Sequence, residues 1–107
     1  MASLDNLIVT PDVDDPTTIV AEGQIDSHTS SLLAQALADQ PEDAEVALVL
    51  GGVTFVDSSG LRAIVRAHKR QTAAGGGLAL VDPSEAVARL LDITGLRSEL
   101  TVRVSGD

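Results

Sequence analysis

Directly after an apolar run that ends at Val56 come Asp57, Ser58 and Ser59, then Gly60 and Leu61, with Arg62 four residues beyond Ser58. A carboxylate followed by two hydroxyls can cap a helix or supply a nucleophile. Capping needs only that a helix begins here, because the first turn has N–H groups with no intrahelical acceptor. Nucleophilic attack needs a base within hydrogen-bond reach. His68 lies ten residues past Ser58, roughly 15 Å along one helix at 1.5 Å per residue, which is too far. His28 has no nucleophile-elbow or oxyanion motif beside it. Hydrolysis is therefore not expected, and the reading is of a protein that is not an enzyme. Gly75-Gly76-Gly77 lacks the Lys-Ser/Thr of a phosphate loop and reads as a helix stop. With no cysteine there is neither a disulfide nor a thiolate metal site, and no metal or cofactor is expected.

The elements that must position these residues follow from periodicity. Leu7 to Val9 and Thr17 to Ala21 are short β-branched runs around the turn-rich PDVDDPTT, a hairpin signal. The stretch DSHTSSLLAQALADQP predicts a helix capped by Asp26, with Leu32, Leu33, Ala36 and Leu37 on one face and Pro41 ending it. Val46 to Leu50 is uniformly apolar, as in a strand covered on both sides. Asp57 caps a second helix, whose apolar face carries Leu61, Ile64, Val65 and His68 and whose other face carries Arg62, Arg66, Lys69 and Arg70. His68 reads as a satisfied core residue and His28 as an exposed one. Leu78 to Val81 is another buried strand. A third helix comes next, with Asp82 as its cap, Pro83 at its first position, Glu85 three after the cap and Gly95 at its C-terminal turn. Leu100, Val102 and Val104 alternate like an edge strand. The order β-β-α-β-α-β-α-β predicts one α/β domain over residues 1–107, with a mixed sheet of four to five strands and helices mainly on one face.

Composition narrows the partners. The net charge is −9 and Phe55 is the only aromatic, so the chain is poorly equipped to meet phosphate backbones or stack bases, and nucleic acid is not an expected partner. No apolar run approaches the ~20 residues of a membrane span, and the first residues lack the basic start of a signal peptide, so a soluble cytoplasmic protein is expected, without membrane insertion. Charge is also polarised: residues 1–61 hold eleven Asp or Glu and no Lys or Arg. Four of the seven basic residues fall within 62–70, a solvated helix face or a surface that steers a partner.

The segment VTFVDSSGL (Val53 to Leu61) resembles the signature of the STAS domain, specifically of the anti-sigma factor antagonist family. GQIDSHT (Gly23 to Thr29) is similar to that family's Gly-x-Leu/Ile-Asp-x-x-Thr, and DPSEAVARLLDITGL to its third helix. The resemblance spans roughly residues 4–104 and agrees with the element order read independently. It implies that Ser58, directly after the Asp, is phosphorylated by a partner that is both anti-sigma factor and ATP-dependent serine kinase. The unphosphorylated form binds that partner, phosphorylation releases it, and a phosphatase resets the cycle. Asp26, Asp57, Ser59, Gly60 and Arg62 are the expected neighbours of the site: Gly60 to keep the approach open, Arg62 to pair with the phosphate.

Three departures from the family pattern stand out. Val49 occupies a strand position where Asp or Asn is frequent and a polar group near the phosphorylation site is expected. Arg62 stands where Gly often follows Gly-Leu. Many members carry a further helix after the last strand, and a smaller docking surface is expected here. The alternative function is constitutive docking, for example as the cytoplasmic subunit of a membrane lipid-transport complex.

Overall fold

The computed structural model describes residues 2–105. Six strands form one sheet in sequential order: β1 (Ala2–Leu4), β2 (Leu7–Pro11), β3 (Thr18–Ile25), β4 (Glu45–Val56), β5 (Gly77–Val81) and β6 (Thr101–Arg103). Helix α1 (Ser30–Ala38) joins β3 to β4, α2 (Ser58–Ala73) joins β4 to β5, and α3 (Glu85–Thr94) with a 3-10 turn at Leu96–Glu99 leads to β6. The first two pairings are antiparallel and the last three parallel, as helical crossovers require. The expected mixed sheet is present, with one strand more than the sequence pattern marks. That strand is β1, a three-residue edge whose Ala2, Ser3 and Leu4 pair with Val9, Ile8 and Leu7. It is too short to show alternation.

One core unites the sheet with all three helices. Val46, Leu48 and Leu50 of β4 pack with Leu33 and Leu37 of α1, Leu61 and Ile64 of α2, and Val87 and Leu91 of α3. The alternating residues Ala47 and Val49 are only half buried, so β4 is covered on one face and not on both as its composition predicts. Val49 pairs with Val20 and Val81 on that open face. It precedes Asp57 by eight residues, roughly 25 Å of strand at ~3.3 Å per residue. A polar residue there would not reach the first turn of α2, so this departure does not impoverish the site.

Two helix starts differ from expectation. Asp26 caps as predicted, its Oδ1 accepting the N–H groups of His28 and Thr29, both at 2.9 Å. The turn it caps runs through residues 27–29, however, and the regular helix starts only at Ser30. Asp82 is not the cap of α3: Ser84 is, its hydroxyl accepting from the Val87 N–H at 3.3 Å. Asp82 still belongs to the sheet edge. Its N–H donates to the Arg103 carbonyl at 2.8 Å, and its carboxylate accepts the N–H and hydroxyl of Ser105. The proline after it disfavours helical backbone at that position, and Asp82 sits at φ 50° instead. Gly95 has the left-handed conformation expected of it, φ 74°. The last strand ends at Arg103, leaving Val104 78% exposed.

Candidate functional site

The ends of β3 and β4 bring two motifs together. Ile25 pairs with Val56, and the Asp57 N–H donates to the Ile25 carbonyl at 3.1 Å. Asp26 and Asp57 therefore leave adjacent strands side by side, each opening a turn toward a helix. Register favours this meeting. The pairing of β3 with β4 shifts between Val20 and Glu22 and again between Gly23 and Gln24, with the surplus residue on β4 each time. Such bulges bend a strand and re-aim the residues beyond them.

Around Asp57 the expected cap is present. Its Oδ1 accepts from the Ser59 N–H at 2.9 Å and the Gly60 N–H at 3.3 Å. Ser58 and Ser59 occupy the first turn of α2. Ser58 is exposed, and its hydroxyl makes no hydrogen bond among the described residues; Ser59 is half buried. Gly60 does something other than keep an approach open. It is buried, and a Cβ there would lie 2.5 Å from Cγ2 of Ile25 and 3.0 Å from Cγ2 of Val56. The missing side chain lets the first turn of α2 press onto the strand ends and so fixes where Ser58 stands. Arg62, one turn further on, is exposed.

The turn after Asp26 is built more tightly. Thr29 is 1% exposed. Its hydroxyl donates to the Gln24 carbonyl at 2.8 Å and accepts the Asp26 N–H at 2.9 Å. The Thr29 N–H is the main cause holding the Asp26 carboxyl below the usual carboxylate range. Desolvation opposes it in part, and bonds from the His28 N–H and the Thr29 hydroxyl add to it. Gly23, at φ 113°, completes the turn: a Cβ there would fall 1.9 Å from the Asn6 carbonyl oxygen, which accepts the Gln24 N–H. The Gly, Asp and Thr of GQIDSHT thus have separate jobs in a single turn. His28 is exposed and pairs with Asp5 through Nε2, tying the β1–β2 turn to this loop.

Three features take on a role that their sequence context does not give them. Phe55, the lone aromatic, is 47% exposed two residues before Asp57; its apolar neighbours in VTFV mask it as core. Thr29 looks like a polar helix residue until its partners are seen. A cleft of about 450 Å³ runs between α1 and α2, lined by Ser59, Arg62, Arg66 and Arg70 on one side and by Ser30, Ser31 and Ala34 on the other. His68 is half buried, and its Nδ1 is enclosed without a partner, so it is not the satisfied core histidine expected. Among the described residues no cluster of three His, Asp or Glu is placed to hold a metal. No described helix is long and apolar enough to cross a membrane.

The family model described as the STAS domain matches residues 7–105. An anti-sigma-B factor antagonist of Bacillus subtilis is 33% identical over 86 residues, which are 79% of this chain and 79% of that protein. An anti-sigma F factor antagonist of Paenibacillus polymyxa is 38% identical over 77 residues, covering 69% of this chain and 66% of that one. Among solved structures, an anti-sigma factor antagonist from Mycobacterium paratuberculosis superposes with a TM-score of 0.74 at 24% identity, covering 96% of this chain and 90% of its own. SpoIIAA, an anti-sigma factor antagonist in its unphosphorylated form, has a TM-score of 0.69 at 18% identity, with coverage of 94% and 90%. These two share the fold.

Proposed function

The chain belongs to the STAS-domain family, and we propose that within it the protein is an anti-sigma factor antagonist whose switch is Ser58. The observation that carries this reading is the state of that hydroxyl: exposed and, among the described residues, unbonded, on the first turn of α2, directly after a capping aspartate. Unmodified, the surface around Ser58 binds a cytoplasmic protein that is both anti-sigma factor and ATP-dependent serine kinase. That binding frees the sigma factor. Transfer of the γ-phosphoryl group to the Ser58 oxygen, with the hydroxyl proton lost and ADP leaving, converts the site to its dissociating form. A phosphatase restores it by hydrolysis.

The local physics supports the cycle. A phosphate at Ser58 meets the positive end of α2, worth about 0.3–1 kcal/mol, so the fold tolerates it. The capping carboxylate of Asp57 is already engaged with Ser59 and Gly60, and the turn of Asp26 lies on the adjacent strand end. A group of charge about −1.5 to −2 added beside two aspartates repels an interface that accepted a neutral hydroxyl. Phe55 supplies an exposed aromatic near the same spot, the residue type enriched where interfaces concentrate their energy. The protein acts here by being bound and modified, not as a catalyst.

The test is binding to the isolated kinase partner, with and without ATP. Wild type should bind and then be released in ATP. Ser58→Ala should bind comparably and stay bound. Ser58→Asp, with about one charge and two oxygens against nearly two charges and three, should bind more weakly than wild type but less weakly than the phosphoprotein. Ser59→Ala should follow wild type. If Ser58→Asp binds as tightly as wild type and ATP changes nothing, constitutive docking replaces the switch.

A further inference from the structure

The cleft between α1 and α2 has an imbalance of charge that the protein does not resolve internally. Three cations, Arg70, Arg89 and Arg97, lie within 4 Å of a carboxylate (3.7, 2.8 and 2.9 Å). Arg70 is further held by the carbonyls of Leu37, Ala38 and Gln40, at 3.3, 3.1 and 2.8 Å, so it closes one end of the cleft as a structural tie. Arg62 and Arg66 differ, as do Lys69 and Arg103, which lie outside the cleft and also have no ion pair among the described residues. Arg62 and Arg66 are both exposed, both line the cleft, and neither has an ion pair or hydrogen bond among the described residues. In a chain of net charge −9 that is unexpected, since acids outnumber bases sixteen to seven. The helix across the cleft explains it: α1, SSLLAQALA, carries no charged residue at all. Serine and alanine stand where a self-sufficient helix pair would place glutamates.

We propose that this cleft receives an acidic helix of the partner protein, with two carboxylates about one turn apart meeting Arg62 and Arg66. This rests on the antagonist reading and adds what the partner presents. The spacing argues for a helix. Arg62 and Arg66 are four residues apart on α2, a rise of roughly 6 Å, which carboxylates at the same spacing on a neighbouring helix match. The uncharged α1 wall presents hydroxyls and methyl groups that repel nothing and let a backbone come near. The cleft also connects to the switch, since Ser59 lines its open end and Ser58 is the preceding residue. A phosphate on Ser58 stands one helical turn from Arg62 and competes for it. Modification thereby withdraws one of the two counter-charges the acidic helix needs, in addition to the repulsion at the first turn.

The probe is a designed alanine-rich helical peptide bearing two glutamates four residues apart, with a glutamine version and inorganic phosphate as controls. Each is titrated into the full isotope-labelled protein and followed by amide chemical shifts. The glutamate peptide should move signals of α1 and α2 around Ser31, Ala34 and Ala63, bind at least about tenfold more tightly than the glutamine peptide, and weaken as salt is raised. Arg62→Gln with Arg66→Gln should abolish that preference, while Lys69→Gln, on the same helix but outside the cleft, should keep it. Equal binding of the glutamine peptide, the same shifts from phosphate alone, or an unchanged double variant would each overturn the proposal. The Ser58 switch is scored separately by release in ATP. A working switch in a protein whose cleft ignores the acidic peptide removes the cleft alone, and acidic-peptide binding without any ATP response removes the switch alone.

Discussion

Two turns at the same end of the sheet use the same residue types to opposite ends. After Ile25, the sequence Asp26 to Thr29 puts its hydroxyl residue inside, where the Thr29 oxygen has both a donor and an acceptor partner. After Val56, the sequence Asp57-Ser58 leaves its hydroxyl outside with neither among the described residues. Both aspartates accept two backbone N–H groups. The caps are thus equivalent, and the hydroxyls are not. A buried hydroxyl with both valences used is a structural bolt. An exposed one on a capped first turn is chemically free at little cost to the fold. Aspartate followed by a hydroxyl residue is therefore insufficient to mark a modifiable site: burial and hydrogen bonding decide which of two look-alike turns can be written on.

The largest effect expected from this contrast is at Thr29. Thr29→Val keeps the shape but removes the hydroxyl that accepts the Asp26 N–H and donates to the Gln24 carbonyl, which should cost about 1–3 kcal/mol in urea unfolding. A loss below about 0.5 kcal/mol would mean that the bolt is not one. Asp57→Ala should cost roughly 1 kcal/mol through loss of the cap and also weaken partner binding; unchanged melting together with unchanged affinity would place Asp57 elsewhere than the helix terminus. A smaller effect concerns acid. The Asp26 carboxyl is depressed chiefly by the Thr29 N–H, that of Asp82 by the Ser105 hydroxyl and that of Asp15 by the Thr17 hydroxyl. For each, the unfolded chain binds the proton more readily, so the stabilisation is complete above the ordinary carboxylate pKa of about 4 and is lost as pH falls through the folded value. Asp26→Asn should flatten that loss measurably. An unaltered acid limb would assign it to the other two. The smallest effect belongs to Ser58→Ala, whose stability should stay within about 0.5 kcal/mol of wild type; a drop comparable to that of Thr29→Val would erase the contrast between the turns.

Legible in the sequence was whatever local chemistry governs. The cap at Asp57, the apolar stripe of α2, the left-handed Gly95 and the hairpin across PDVDDPTT all depend on residues a few positions apart. The start of α3 was misread because Asp82-Pro83 satisfies the local rules for a helix start, while the competing partner, Ser105, lies 23 residues away. Gly60 read as openness because its neighbour Ile25 is distant in sequence and close in space. The cleft was half legible. The clustered cations of α2 were plain, but the lack of acidic partners for Arg62 and Arg66 among the described residues becomes visible only when α1 is placed opposite them. Six consecutive strands in one ordered sheet were nearly complete in outline, with β1 hidden by its length.

The surplus residues of β4 give that strand a different kind of freedom. Twelve residues run alongside the eight of β3, and the inward series Val46, Leu48, Leu50 resumes at Val53 and again at Val56 after each bulge. Losing one residue at Gly51 or Gly52 would straighten the first bulge and leave Val53 facing inward. Losing one at Ala47 or Val49 would turn Leu50 out to solvent, because side chains alternate strictly along a regular strand. The strand therefore carries slack at two defined places and none in the regular stretch ahead of them. A lineage can shorten β4 at those two places without reversing its faces, and a frame of two, laid over the codon's frame of three, governs which deletions ahead of Asp57 survive.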